Sequence, residues 1–141
     1  AYRIPDNDCA CTPVGKAPEK TRPIGRYNVR SFITSLADGA RVAKGQRVPV
    51  RGIAFDGGRG IRDVQFSADG GQTWRAAALG EDLGRYSFRE WHADFTPEQA
   101  GAYALKVRAT NTAGETQPLD PLWNPSGYMR NVVETVRVDA A

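Results

Sequence analysis

Few residues in this chain are of a type that does chemistry on its own. There is one histidine, His92, and any Ser-His or Cys-His relay would have to use it. It falls in "RYSFREWHADF", a stretch patterned as a strand, with no nucleophile motif beside it. Glu81 and Asp82 are adjacent carboxylates, but "GEDLG" reads as a turn, where solvation alone accounts for acidic side chains. Cys9 and Cys11 stand in "DCACTP". A C-x-C pair is too short for c-type haem attachment and supplies only half of a structural zinc site. A bridge between residues two apart is awkward for disulfide geometry. The pair therefore reads as two thiols in an extended tail, with redox and metal roles as the lesser alternatives. No catalytic, cofactor-binding or metal-ligating residue is assigned, and an independent hydrolase is close to excluded.

The most ordered motif is "SADGGQTW", Ser67 to Trp74. It resembles the Asp-box of sialidase-type propellers. A propeller repeats its motif in every blade, and here it occurs once, in a chain too short to close a ring of blades. A calcium loop of the EF-hand kind needs several acidic oxygens at fixed spacing, and this stretch offers only Asp69. What remains is local structure. Asp-Gly-Gly supplies positive φ for a tight hairpin, Asp69 and Thr73 can bond the turn backbone, and Trp74 reads as a core anchor whose truncation to Ala costs about 3–5 kcal/mol.

These residues must be positioned by strands. The 141 residues amount to one domain, large enough to bury roughly two-thirds of its unfolded surface. Hydrophobic residues at 40% and charged residues at 25% are ordinary for a folded globular chain. No apolar run approaches the ~20 residues of a membrane span, and no signal peptide opens the chain. It begins at Ala1 rather than Met, the expectation for a processed or truncated product. The net charge is +3, with 15 arginines against 4 lysines. That excess fits anion-binding surfaces or a coding bias. The basic residues form no runs and do not alternate with aromatics, so neither nucleic acid nor membrane is expected as a partner.

Residues 1–27 carry four prolines and no periodicity, and read as an extended arm or linker from a preceding domain. From Asn28 the texture is short strands and turns. "NVRSFITS" is the first strand. "QRVPVRGIAF" is the second, with Pro49 marking an edge and Gly52 a bulge. "IRDVQFS" follows, with Val64 and Phe66 on one face, then "TWRAAAL". In "RYSFREWHADF" a bulge would bring both Phe88 and Trp91 inward. "GAYALKVRAT" alternates cleanly, with Tyr103, Leu105 and Val107 on one face. "NVVETVRVDA" closes the set. About seven strands at this spacing predict an all-β, immunoglobulin-like (E-set type) antiparallel β-sandwich over residues 28–141. Its expected core is Val64, Phe66, Trp74, Phe88, Trp91, Tyr103, Leu105 and Val107.

Three segments carry a resemblance: "GIAFDGGRGIRDVQFSADGGQTWRAAAL", "YALKVRATNTAGETQP" and "WNPSGYMRNVVETVRV". In order and spacing they resemble the C-terminal domain of sulfite oxidase-type molybdenum oxidoreductases, over roughly residues 28–139. The resemblance implies a β-sandwich that dimerises its enzyme and supports the adjacent molybdenum domain. It implies no cofactor in this chain, with molybdopterin and the molybdenum-ligating cysteine in the preceding domain. Neither Cys9 nor Cys11 stands in that ligand's context. It implies a parent that oxidises sulfite or a related sulfur compound and passes electrons to a haem or cytochrome partner. By the same resemblance the setting is a bacterial periplasm, and the association a homodimer.

In animal-type members Trp-Asn is followed by Leu-Arg-Gly, whose arginine helps hold the oxyanion. Here Pro125-Ser126-Gly127 follows, so Ser126 takes the arginine's place, and a hydroxyl cannot match a guanidinium's bidentate grip. The resemblance thus sets Trp123, Asn124, Ser126, Gly127 and Arg130 near the molybdenum-domain face. Arg130 is the group able to compensate, or equally a surface arginine. The alternative function is a stand-alone carbohydrate- or protein-binding module, with Tyr27, Trp123 and Tyr128 as its aromatic platform.

Overall fold

The computed structural model describes residues 2–141. Among them there is no helix, and the strands form one small ribbon and two larger sheets. The ribbon pairs β1 (Arg3–Pro5) with β2 (Thr21–Pro23). One larger sheet has the order β4 (Ala40–Val42), β11 (Thr135–Ala140), β10 (Gly101–Asn111), β6 (Ile61–Ser67), β7 (Arg75–Ala76). The other has the order β3 (Arg30–Ile33), β5 (Val48–Phe55), β9 (Arg89–Phe95), β8 (Ala78–Leu79).

The all-β sandwich follows from alternation. On β10, Leu105, Val107 and Ala109 are fully buried, while Lys106 and Arg108 lie on the other face. On β9, Trp91, Ala93 and Phe95 point inward. The inner faces meet around Phe66, whose ring lies 6.5 Å from Trp91 and 6.3 Å from Phe95 across the gap between sheets. Val50, Ala54, Val64 and Val138 complete the layer. Such burial of aliphatic and aromatic side chains contributes roughly 1.5–3 kcal/mol each.

Several details differ from the reading of the sequence. One ladder is parallel: β4 joins the edge of β11, pairing Ala40 with Val138. This contact links segments nearly a hundred residues apart and leaves no local trace. Gly52 is not a bulge, since its pairing with Ile33 and Trp91 keeps register. The register shift falls instead between Thr110 and Asn111 on β10. Pro49 does sit at a local edge. β3 ends opposite Gly52, so β5 has no strand neighbour on that side at Pro49.

Two expected core residues are not core. Phe88 lies just before β9 and is 56% exposed, with no bulge to turn it inward. Trp74 is half-buried on the outer face of the five-stranded sheet, with the Arg108 guanidinium 4.2 Å from its ring centroid. An indole tolerates this position because its face attracts a cation while its body covers aliphatic stems. Trp74→Ala should therefore cost about 1–2 kcal/mol, below the full core value. Thermal unfolding of the variant checks this, and a loss above about 3 kcal/mol would contradict the surface placement. Tyr103 is half-buried, its hydroxyl donating to the Gln99 carbonyl at 2.9 Å.

The arm is folded as well as extended. Arg3 Nε donates to Thr21 Oγ1 at 2.8 Å, and Arg3 Nη2 donates to the Thr21 carbonyl at 2.7 Å. Ile4, Pro5 and Ala10 are buried beneath it. Cys9 and Cys11 are joined by a disulfide, which corrects the reading as free thiols. The correction has a backbone cause. Ala10 takes a left-handed φ of 50°, which folds the chain back and brings the flanking Cα atoms to 5.1 Å, inside the range a disulfide spans.

Candidate functional site

The Asp-box hairpin is a closed hydrogen-bond unit. Thr73 donates to Asp69 from its backbone N–H at 2.9 Å and from its hydroxyl at 2.5 Å, and Ser67 Oγ donates to Asp69 at 2.7 Å. Gly71 N–H donates to Ser67 Oγ at 2.9 Å. Gly70 and Gly71 supply the positive φ that the turn requires. The Thr73 and Ser67 donors favour the charged carboxylate and hold Asp69 down to about 2. A carboxylate depressed in the fold stabilises above its unfolded value near 3.8 and loses that contribution as the pH falls toward 2. Asp69→Asn should therefore lower the melting temperature most above about pH 4, and the gap from the parent chain should close as pH nears 2. A gap independent of pH would show that the charge is not what the turn uses. Both carboxylate oxygens of Asp69 accept bonds from within its own turn, the pattern of a structural motif.

Among the described residues no group of three or more His, Cys, Asp or Glu is placed to hold a metal ion. His92 is exposed on β9 and lines a shallow cleft with Thr34, Ser35, Arg51 and Glu90. Glu81 and Asp82 are both exposed.

The side chains that converge do so at one end of the sandwich. The loop after Trp123 is built around Asn124, which is 4% exposed. Asn124 Nδ2 donates to the Tyr128 carbonyl at 2.8 Å, and Tyr128 N–H donates back to Asn124 Oδ1 at 3.1 Å. Gly127 N–H donates to the Asn124 carbonyl at 3.1 Å, with Gly127 itself at φ 67°. The sequence "WNPSGY" is thus an Asn-capped turn in which Gly127 provides the left-handed residue. Ser126 is exposed at its tip, and Trp123 is half-buried.

Three further amides fix this loop, and the sequence reading did not single them out. Asn28 Nδ2 donates to the Met129 carbonyl at 3.1 Å, and Asn131 Nδ2 donates to the Val29 carbonyl at 3.1 Å. Gln117, 2% exposed, is the hub. Its Oε1 accepts from Ser31 Oγ at 2.5 Å and from Ala109 N–H at 3.0 Å, while its Nε2 donates to the Asn131 carbonyl at 2.9 Å. The only available signal was a polar residue beside proline in "ETQPLDP", which fits any loop equally well.

Beside the loop runs an open groove of about 830 Å³. Its apolar lining includes Tyr27, Phe55, Tyr86, Phe88, Tyr128 and Met129, and its basic lining is Arg26, Arg30 and Arg130. Tyr27, Tyr86 and Phe88 are 70%, 74% and 56% exposed, an unusual amount of open aromatic surface for one patch. The Phe55 and Phe88 rings meet at a tilt, with centroids 5.2 Å apart. Arg30 and Arg130 share a single carboxylate, Glu134, at 3.6 and 3.4 Å, while Arg26 makes no ion pair among the described residues. The groove is aromatic with a net positive rim. Of the five residues set near the molybdenum-domain face, Arg130 lines the groove, Asn124 and Gly127 build the loop, and Ser126 and Trp123 do not reach the lining. Tyr27 and Tyr128 lie on the groove, but the half-buried Trp123 does not join them as an open platform, and the carbohydrate-module alternative is not favoured.

Comparison with known proteins decides the family. Residues 21–141 match the family described as the Mo-co oxidoreductase dimerisation domain. The chain belongs to that family. The match begins within the arm, at the first residue of β2. The mitochondrial sulfite oxidase of Macaca fascicularis is 34% identical over 122 residues, covering 80% of this chain and 22% of the relative. That of Homo sapiens is 34% identical over 119 residues, covering 78% and 22%. An inducible NADH nitrate reductase of Glycine max is 33% identical over 90 residues, covering 58% and 10%. The crystal structure of the sulfane dehydrogenase SoxCD from Paracoccus pantotrophus superposes with a TM-score of 0.67 at 25% identity, covering 77% of this chain and 29% of that one. The domain spans about a fifth of the length of the sulfite oxidases it matches. Its role within the family is association, and the cofactor of these enzymes lies outside it.

Proposed function

We propose that residues 28–141 are the two-fold association unit of a molybdenum-dependent oxidoreductase that oxidises sulfite or a related sulfur compound, with residues 1–27 leading in from a preceding molybdenum domain. The observation that carries this reading is the aromatic groove with its arginine rim beside the Asn124 loop. A preceding domain would cover the exposed aromatic side chains there. Arg130 would stand near the position that Ser126 leaves without a guanidinium.

No residue of this chain takes part in a catalytic step. The preceding domain's molybdopterin would supply oxygen-atom transfer, and a cytochrome would accept the electrons. What the chain's own residues do is hold a surface. Gln117, Asn124 and Asn131 fix the loop, and Gly57 lets the Tyr27 segment seat against the "DGG" turn, where a Cβ would meet the Tyr27 carbonyl oxygen at 2.6 Å. A periplasmic setting is part of this reading and rests on the family resemblance. No helix of the described residues is long and apolar enough to cross a membrane.

The test is molar mass by light scattering across a hundredfold concentration range. A mass near twice 15.4 kDa supports an isologous interface borne by this domain, which needs about 1,000 Å² or more of buried surface. A monomer throughout counts against that reading.

A further inference from the structure

We propose that the Cys9–Cys11 disulfide is a thiol–disulfide exchange site, which accepts an electron pair from a dithiol while the sandwich stays folded. The ring closed by this bond contains one intervening residue, Ala10. A cross-link removes chain entropy in proportion to the logarithm of its loop length, so a ring this small does little to hold the domain together. The bond also joins no two elements of the fold. Both cysteines lie in the connection between β1 and β2, and neither larger sheet depends on them.

Position and surroundings suit exchange. Cys9 is exposed and lines an open groove of about 590 Å³ whose charged lining mixes Arg22 and Arg26 with Asp8, Asp56 and Glu115. Cys11 is half-buried. An incoming thiolate therefore has an open approach to the bond, and Cys9 is the more exposed of its two residues. Exposed disulfides are the ones that behave as labile or catalytic.

The turn is also held without the bond. Asn7 Nδ2 donates to the Cys11 carbonyl at 2.8 Å, Cys11 N–H donates to Asn7 Oδ1 at 3.1 Å, and Ala10 N–H donates to the Asn7 carbonyl at 3.1 Å. Thr12 N–H donates to the Trp123 carbonyl at 2.8 Å, which ties the next residue to the body of the domain. After reduction these contacts keep the two thiols adjacent and ready to close again.

The exchange balances as follows. One thiolate of the donor attacks Cys9 Sγ, the Sγ–Sγ bond breaks, and Cys11 leaves as a thiolate that takes up a proton. The donor's second thiolate then attacks the mixed disulfide, its own S–S bond forms, and Cys9 leaves and is protonated. The chain gains two electrons and two protons, and the dithiol loses them.

The experiment incubates the chain with 1 mM-scale dithiothreitol, reduced thioredoxin, or a reduced/oxidised glutathione series, followed by alkylation and mass measurement. Circular dichroism is recorded alongside. Reduction within minutes with the β-sheet signal unchanged is the expected result, and reopened samples should close again in oxidised glutathione. Reduction by dithiothreitol alone identifies a small thiol as the donor class, and reduction by thioredoxin as well identifies a protein dithiol. Both support the site. A bond that resists both until denaturant is added overturns it, as does reduction accompanied by cooperative loss of sheet. Asn7→Ala separates the clamp from the bond. Its reduced form should favour reclosure about tenfold less, with mixed glutathione adduct accumulating. An unchanged equilibrium overturns the role given to Asn7.

Discussion

Gly52→Ala should destabilise the domain by at least about 3 kcal/mol, or prevent it from folding. Gly52 lies opposite Trp91 on β9 and opposite Ile33 on β3. A Cβ there would overlap the Phe32 carbonyl oxygen and would meet Trp91 Cζ2 at 2.5 Å and Cε2 at 2.7 Å. The indole is fully buried and hydrogen-bonded, its Nε1–H donating to the Ile53 carbonyl at 3.3 Å, so it has nowhere to retreat. The carbonyl belongs to the neighbouring strand, so relief on that side means parting β3 from β5. Rotamer change, the inexpensive response to overpacking, is closed to both neighbours. Chemical denaturation of the variant measures the effect, with a melting temperature lower by about 10 °C as the thermal equivalent. Trp91→Ala in the same chain should not rescue it, because the backbone overlap persists. A Gly52→Ala domain of unchanged stability would mean that Trp91 does not rest on the glycine.

Gln117→Ala should cost about 3 kcal/mol. Truncation leaves the Ser31 hydroxyl, the Ala109 N–H and the Asn131 carbonyl without the partners that Gln117 supplies. Ser31 and Ala109 are both fully buried, so water does not replace the lost bonds without opening the sandwich. Unmade buried hydrogen bonds cost more than made ones contribute, and roughly 1–3 kcal/mol per group is the usual scale. The substitution has a second readout. Amide exchange should quicken at Ala109 and along residues 121–131, because Gln117 joins β3, β10 and the Asn124 loop in one network. Faster exchange confined to position 117 would show that the loop is held by Asn124, Asn28 and Asn131 without it.

The sequence was most informative where geometry is local. "IRDVQFS" forms β6 over the residues its alternation marked, and the buried side of β10 follows the same period. Elsewhere one residue's type was compatible with two surroundings. Phe88 and Trp91 are both large aromatics three apart, and only the start of β9 at Arg89 decides that one faces solvent and the other the core. Trp74 suits a core position and a place over Arg108 equally. The disulfide depends on one left-handed alanine, a conformation that a composition of "CAC" does not announce. The β4–β11 ladder and the Gln117 hub join residues far apart in the chain, and such contacts leave no period to read. The proline and glycine of "WNPSGY" suit a turn, but nothing in those letters marks an amide clamp, since Asn124 buries its side chain by bonding its own loop.

Between β7 and β8 the chain passes from one sheet to the other, with Ala77 the single residue between them. Each of the two sheets therefore ends there in a strand of two residues. Their opposite edges, β3 and β4, offer four and three. Strand-to-strand joining between copies needs a longer run of open backbone than any of these provides. The domain is thus poorly suited to growing by sheet extension, into fibres or otherwise. Any pairing of two copies has to be written in side chains, where a single substitution can switch it off while leaving each sandwich intact.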